Sequence, residues 1–173
     1  MVSDVQIKGQ DLYQRQQSHK CSNGPVIICD GLQTPDNLGS ILRVADATGS
    51  KKIVLLDSEL DLANKKISKL ARSTDRHLSL EHSSLADFID SYHQYNFLCA
   101  LEITTTSENV FNADIKQCDA VIVGHESYGI REEVLALCNA TYHLPMFGIN
   151  GSMNISHALA VFLYEWRRQT GNQ

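Results

Sequence analysis

The sequence predicts an α/β domain with a mainly parallel β-sheet flanked by helices. Three observations carry this. Apolar runs alternate along the chain with amphipathic stretches. A length of 173 residues, 43% of them hydrophobic, suits one domain with a sizeable core. Segments rich in Gly, Asn and Ser follow directly after three of the apolar runs, where ligand loops of open α/β sheets lie.

Residues 1–24 are polar and without clear periodicity, and are expected to be an arm or short helix laid on a domain of residues 25–173. Strands are expected at 26–29, 53–56, 78–80, 97–101 and 120–123, with a sixth, short one at 141–144. The first helix, 37–48, places Leu38, Ile41, Leu42 and Ala45 on one face and stops at Gly49. Further helices are expected at 60–70, 85–92, 131–138 and 152–169. The last carries two apolar stripes: Ile155, Leu159, Phe162 and Trp166 on one side, Met153, Ala160, Val161 and Tyr164 on the other. A helix apolar on two sides must bury both, so a second copy of the chain is the expected cover.

No apolar run approaches the roughly 20 residues of a membrane span. The first ten residues are polar and lack a secretory signal. The five cysteines have no C-x-x-C spacing, and Cys29 and Cys99 lie in apolar runs as reduced core residues would. A soluble cytoplasmic protein is therefore expected. The net charge of −5 excludes a uniformly basic surface. A local cluster of Lys51, Lys52, Lys65, Lys66, Lys69, Arg72 and Arg76 is either a solvated helix face or a phosphate-binding patch.

In the first of the three ligand-loop segments, Asn37 sits where a helix cap belongs and Gly39 permits close approach. Arg43 is either a surface partner of Asp46 or a cleft residue that holds a phosphate. The second segment, Gly124-His125-Glu126-Ser127-Tyr128-Gly129-Ile130, is neither a P-loop nor a Rossmann fingerprint, and it misses the G-x-S-x-G nucleophile elbow. A hydrolase using Ser127 and His157 is accordingly a weak reading. The third, residues 143–157, joins a strand end, Pro145, Gly148, Gly151 and an Asn- and Ser-rich helix start, which suits backbone groups bracketing a polar aromatic ligand. His77, Glu81 and His82 match no standard metal spacing, so no metal is expected.

Taken in order, these segments contain N-x-G-x-x-x-R (Asn37, Gly39, Arg43), G-x-E-x-x-G-[IL] (Gly124, Glu126, Gly129, Ile130), and [IL]-P-M followed by S-[LM]-N-[IV]-S (Leu144, Pro145, Met146; Ser152, Met153, Asn154, Ile155, Ser156). From residue 26 to about residue 168 the chain resembles the SpoU, or TrmH-like, branch of the SPOUT superfamily of RNA ribose 2′-O-methyltransferases. The resemblance implies a C-terminal trefoil knot across roughly residues 124–157, a homodimer, and S-adenosyl-L-methionine as methyl donor. It implies donor contacts from Leu101 or Glu102, Gly124, Leu144, Met146, Ser152 and Met153. It also implies a catalytic group of Arg43, Asn37, Glu126, Ser152 and Asn154, with Arg43 at the ribose hydroxyl and its phosphate. The RNA would be a tRNA or rRNA. A separate RNA-recognition domain is not expected, so recognition would rest on the dimer cleft and local basic residues. The alternative from another class is a knotted RNA-binding scaffold without catalysis, which would be expected to lack Arg43, Asn37 or Glu126.

Overall fold

The computed structural model describes residues 23–61 and 78–171. In chain order these form β1 (Val26–Asp30), α1 (Pro35–Thr48), β2 (Lys52–Leu56), β3 (Ser79–Ser83), α2 (Leu85–Ser91), β4 (Leu98–Leu101), β5 (Glu108–Asn109), β6 (Ala120–Val123), α3 (Glu132–Leu135), β7 (Ala140–His143) and α4 (Ile155–Thr170). The strands pair in the order β3-β2-β1-β6-β4-β7-β5, and every pairing is parallel. The expected helix at 60–70, most of the basic cluster and nearly all of the N-terminal arm lie outside the described residues.

The central strands are buried on both faces, which explains their unbroken apolar runs. Ile27 and Cys29 of β1, Ile53 and Leu55 of β2, Cys99 and Leu101 of β4, and Val121 and Val123 of β6 point to one side. There they pack with Leu38, Ile41, Leu42 and Ala45 of α1 and Leu159, Phe162 and Leu163 of α4. The alternate residues Ile28, Val54, Leu56, Leu98, Ala100 and Ile122 face the other side, against Phe88 of α2 and Ile130 and Val134 around α3. The result is a three-layer sandwich.

Several boundaries differ from the expected ones, each for an identifiable reason. Helix α1 begins at Pro35, whose missing N–H and fixed φ suit a first helical position, so Asn37 lies inside the first turn rather than at the cap. The helix stops as expected at Gly49, with φ of 75°. The expected helix 131–138 is only the short α3. Asn139 exchanges hydrogen bonds with Leu98, its N–H to the Leu98 carbonyl and its Oδ1 from the Leu98 N–H, both at 2.8 Å. That exchange draws the chain into β7. Helix α4 starts at Ile155, capped by Asn154 Oδ1, which accepts from Ser156 N at 2.9 Å. Ser152 and Met153 therefore belong to the preceding loop. The short β5 carried no periodic signal in the sequence.

Of the two stripes on α4, the first is core, with Leu159 and Phe162 fully buried and Trp166 nearly so. The second stays outside: Tyr164 is 58% exposed and Val161 37%. Phe147 and Ile149 in the loop before α4 are also exposed. No described helix is long and apolar enough to cross a membrane.

Candidate functional site

Because all strands run parallel, the carboxyl ends of β1, β6, β4 and β7 open on one edge of the sheet. A cavity of about 870 Å³ lies there, within the usual range for small-molecule sites. Its floor and walls come from three loops: residues 101–104 after β4, 124–130 after β6, and 143–154 between β7 and α4.

The loop after β6 is folded back on itself. His125 N donates to the Gly129 carbonyl at 2.9 Å and Gly129 N donates to the His125 carbonyl at 3.0 Å. Two glycines make this possible. A Cβ on Gly124 would stand 2.1 Å from the Gly129 carbonyl carbon, and Gly129 has φ of +70° with Glu102 Oε2 against its Cα. Glu102 in turn accepts from Ile103 N at 2.8 Å and Ile130 N at 3.1 Å, locking the loop after β4 to the loop after β6.

Glu126 leaves this turn and reaches the start of α1. Its carboxylate accepts from Asn37 Nδ2 at 2.9 Å and from the backbone N–H groups of Thr34 at 3.0 Å and Gln33 at 3.4 Å. An anion at a helix N-terminus is favoured by the helix dipole as well. Asn37 Oδ1 accepts from Asn154 Nδ2 at 2.9 Å, and Asn154 Oδ1 accepts from the hydroxyl of Ser156 at 2.7 Å. One relay thus joins all three sequence segments. Each amide uses its oxygen toward one neighbour and its NH2 toward the other, so neither Asn can be exchanged for Asp without losing a donor.

Partial burial of Glu126 opposes its charge, but the hydrogen bonds from Asn37 and Thr34 outweigh it and lower its pKa from 4.5 to about 2. A carboxyl depressed on folding adds stability that is fully present above its unfolded value and fades as the pH drops toward the folded one. Glu126→Gln is therefore expected to lower stability by a constant amount at pH 5–7, with the difference closing between about pH 4.5 and 2. Urea midpoints of both proteins across that range check this; a gap that persists unchanged at pH 2 contradicts it.

The expected donor-binding residues Leu101, Glu102, Gly124, Leu144, Met146, Ser152 and Met153 all line the cavity, as do Glu126 and Asn154. Asn37 does not line it but is tied to two residues that do. Arg43 sits six residues, about 9 Å, further along α1, on its exposed face. It forms no ion pair with Asp46 or with any other described residue. Of the two residues of the hydrolase reading, Ser127 lines the cavity and His157 does not. Among the described residues no group of three His, Cys, Asp or Glu could hold a metal ion. Glu81 instead pairs with Lys52 at 2.9 Å.

Two features were not anticipated from the sequence. Arg131, directly after the cavity turn, donates from its backbone N to Asp30 Oδ2 and from Nε to Asp30 Oδ1, both at 2.8 Å. It also pairs with Asp57 at 2.6 Å, so it clamps the ends of β1 and β2 to the loop after β6. Asp30 is almost wholly buried, and a carboxylate closing a strand run was the available signal. The other feature is the charge of the lining. Among the described residues it contains Glu102, Glu126 and Glu132 and neither Lys nor Arg.

Residues 24–164 match the profile of the SpoU rRNA Methylase family. The chain belongs to the SpoU family. Over 156 residues this SpoU chain is 30% identical to a protein of Staphylococcus aureus (strain MSSA476) named for the TrmH family of tRNA/rRNA methyltransferases, covering 90% of the chain and 63% of that protein. Over 145 residues it is 29% identical to the 23S rRNA (guanosine-2′-O-)-methyltransferase RlmB of Blochmanniella floridana, covering 83% of the chain and 57% of RlmB. The chain thus spans less than two thirds of the length of these relatives. The SpoU methyltransferase AviRb of Streptomyces viridochromogenes, crystallised with AdoMet, has the same fold: TM-score 0.75, 24% identity, 89% of this chain and 63% of AviRb.

Proposed function

We propose that this SpoU domain transfers a methyl group from S-adenosyl-L-methionine to a ribose 2′-hydroxyl of a tRNA or rRNA, as a homodimer. The character of the cavity lining carries the donor assignment. A cavity of this size with three carboxylates and, among the described residues, no Lys or Arg favours a cation over a polyanion such as a nucleoside triphosphate. S-adenosylmethionine supplies a sulfonium-activated methyl group, and since its amino and carboxylate charges cancel, the sulfonium leaves it a net cation. Leu101, Leu144, Met146 and Met153 offer apolar surface for its adenine and methylene carbons, while loop backbone at Gly124 and Ser152 offers polar contacts. The missing Cβ atoms of Gly124 and Gly129 let that loop close on itself and on Glu102, which gives the cavity wall its shape. We take the trefoil knot expected across residues 124–157 as part of this reading.

On this reading the exposed guanidinium of Arg43 anchors the phosphate beside the target ribose and orients its 2′-hydroxyl. An arginine is protonated throughout the physiological range, which suits the anchoring role. Asn37, Glu126 and Asn154 fix the start of α1, and thereby Arg43, relative to the donor. Ser152 supports the loop that covers it. Positioning of the two reactants is the main source of rate in such a transfer. The exposed apolar residues Val161, Tyr164, Phe147 and Ile149 support a second copy as the cover of α4.

Calorimetric titration of the dimeric protein with S-adenosylmethionine is expected to give micromolar affinity, and the bound protein to label RNA from cells lacking the gene at a ribose 2′-position. Absence of heat at millimolar donor would overturn the donor assignment. Labelling of a base rather than a ribose would overturn the reaction assigned.

A further inference from the structure

Tyr128 stands out at the mouth of the cavity. It lines the opening yet is 86% exposed, an arrangement that a side chain of its size adopts at the expense of apolar burial. Its position is nevertheless held. The turn that carries it is closed by the two His125–Gly129 backbone bonds, and Ser127 N donates to His125 Nδ1 at 2.9 Å, fixing the imidazole. That imidazole lies against the Tyr128 ring, with centroids 4.7 Å apart and planes tilted by 38°. One face of the phenol is thus supported from behind while the ring remains open to solvent. The neighbouring residue on the same turn, Glu126, is the one bound to α1.

Charge decides what such a ring would be for. The chain carries a net charge of −5, and among the described residues the cavity rim around Tyr128 holds carboxylates and no Lys or Arg. Among the described residues, the rim itself offers a polyanion no ion pair at this mouth. A stacking surface avoids the difficulty, because a nucleobase is neutral and every base has a π-face.

We propose that Tyr128, backed by His125, is a stacking platform for an unpaired nucleobase of the RNA, a contact that sets which single-stranded or looped nucleotides are accepted. The inference rests on the reading of the chain as an RNA methyltransferase and adds to it a residue for substrate selection. The platform supplies a grip on a flipped or looped base that is independent of sequence, and leaves Arg43 to contact the backbone.

The test is equilibrium binding of a single-stranded oligoribonucleotide containing 2-aminopurine, with the full-length protein saturated in S-adenosylmethionine. Wild type is expected to bind and quench the fluorophore by stacking. Tyr128→Ala is expected to weaken binding by roughly 5- to 150-fold, the range for loss of one aromatic–base stack, and to abolish quenching. Tyr128→Phe and Tyr128→Trp keep a π-face and are expected to remain near wild type, whereas Tyr128→Leu should resemble Tyr128→Ala. The salt dependence of binding should be the same in all five proteins, since no charge is removed. Equal binding by Tyr128→Ala and wild type, full rescue by Leu, or a change confined to the sedimentation coefficient would overturn the proposal. Intact RNA binding and quenching without methyl transfer would sink the methyltransferase reading and leave the platform standing.

Discussion

Arg43→Ala is expected to leave donor affinity within about twofold of wild type and to reduce single-turnover methyl transfer by roughly 10²- to 10³-fold, the cost typical of removing one charge-stabilising donor aimed at a developing anion. The geometry separates the two effects. Arg43 lies outside the lining of the donor cavity, so its loss removes no contact there. It is exposed and makes no hydrogen bond or ion pair among the described residues, so its loss should not move the unfolding midpoint either. Arg43→Lys should fail almost as badly, since an ammonium cannot present two parallel N–H groups to a phosphate. A merely structural surface arginine predicts the reverse pattern: a stability change of about 0–1 kcal/mol with normal turnover. Transfer to total RNA by Arg43→Ala at wild-type rate would reject the role proposed for it.

The second large effect is expected at Gly124. The atoms in the way of a Cβ there are backbone: the Gly129 carbonyl carbon at 2.1 Å, Ile130 N at 2.3 Å and Gly129 O at 2.5 Å. None can rotate aside as a side-chain tip would. Gly124→Ala must therefore open the turn, break the His125–Gly129 pairing and pull Ile130 N from Glu102. Overpacking in a closed region typically costs about 1–3 kcal/mol, and here the displaced backbone is also the cavity wall. Donor affinity is expected to fall at least about 100-fold, with a lower urea midpoint. Gly148→Ala and Gly151→Ala serve as controls, because nothing lies within 4 Å of a Cβ at either position. Near-normal donor binding by Gly124→Ala would show that the turn does not shape the donor site.

Much of this architecture was legible in the residues. The apolar runs at 26–29, 53–56 and 120–123 became β1, β2 and β6, and Gly49 ended α1, because strand and helix periodicities and helix stops are encoded within a few neighbouring residues. Where α3 ended early, a tertiary contact had intervened. Asn139 ended α3 early by bonding to β4, which no local pattern announces. Tyr128 is a similar case. In the sequence it is an aromatic between Ser127 and Gly129, and only the fold leaves it uncovered at the mouth of a cavity.

By itself the sequence determined the α/β class with a mainly parallel sheet flanked by helices, the motif-bearing segments after the right strands, and the side of α1 that carries Arg43. These depend on short-range spacing. The tertiary structure decided what those segments make together. Asn37 meets Glu126 across 89 residues, Arg131 meets Asp30 across 101, and Asn154 meets Asn37 across 117. Such pairs form because β6 inserts beside β1 in the sheet, an ordering set by the packing of whole strands and invisible to any local period. The acidity of the cavity has the same origin. Glu102, Glu126 and Glu132 are ordinary isolated acids in the chain, and they line one cavity only where parallel strand ends bring their loops to one edge.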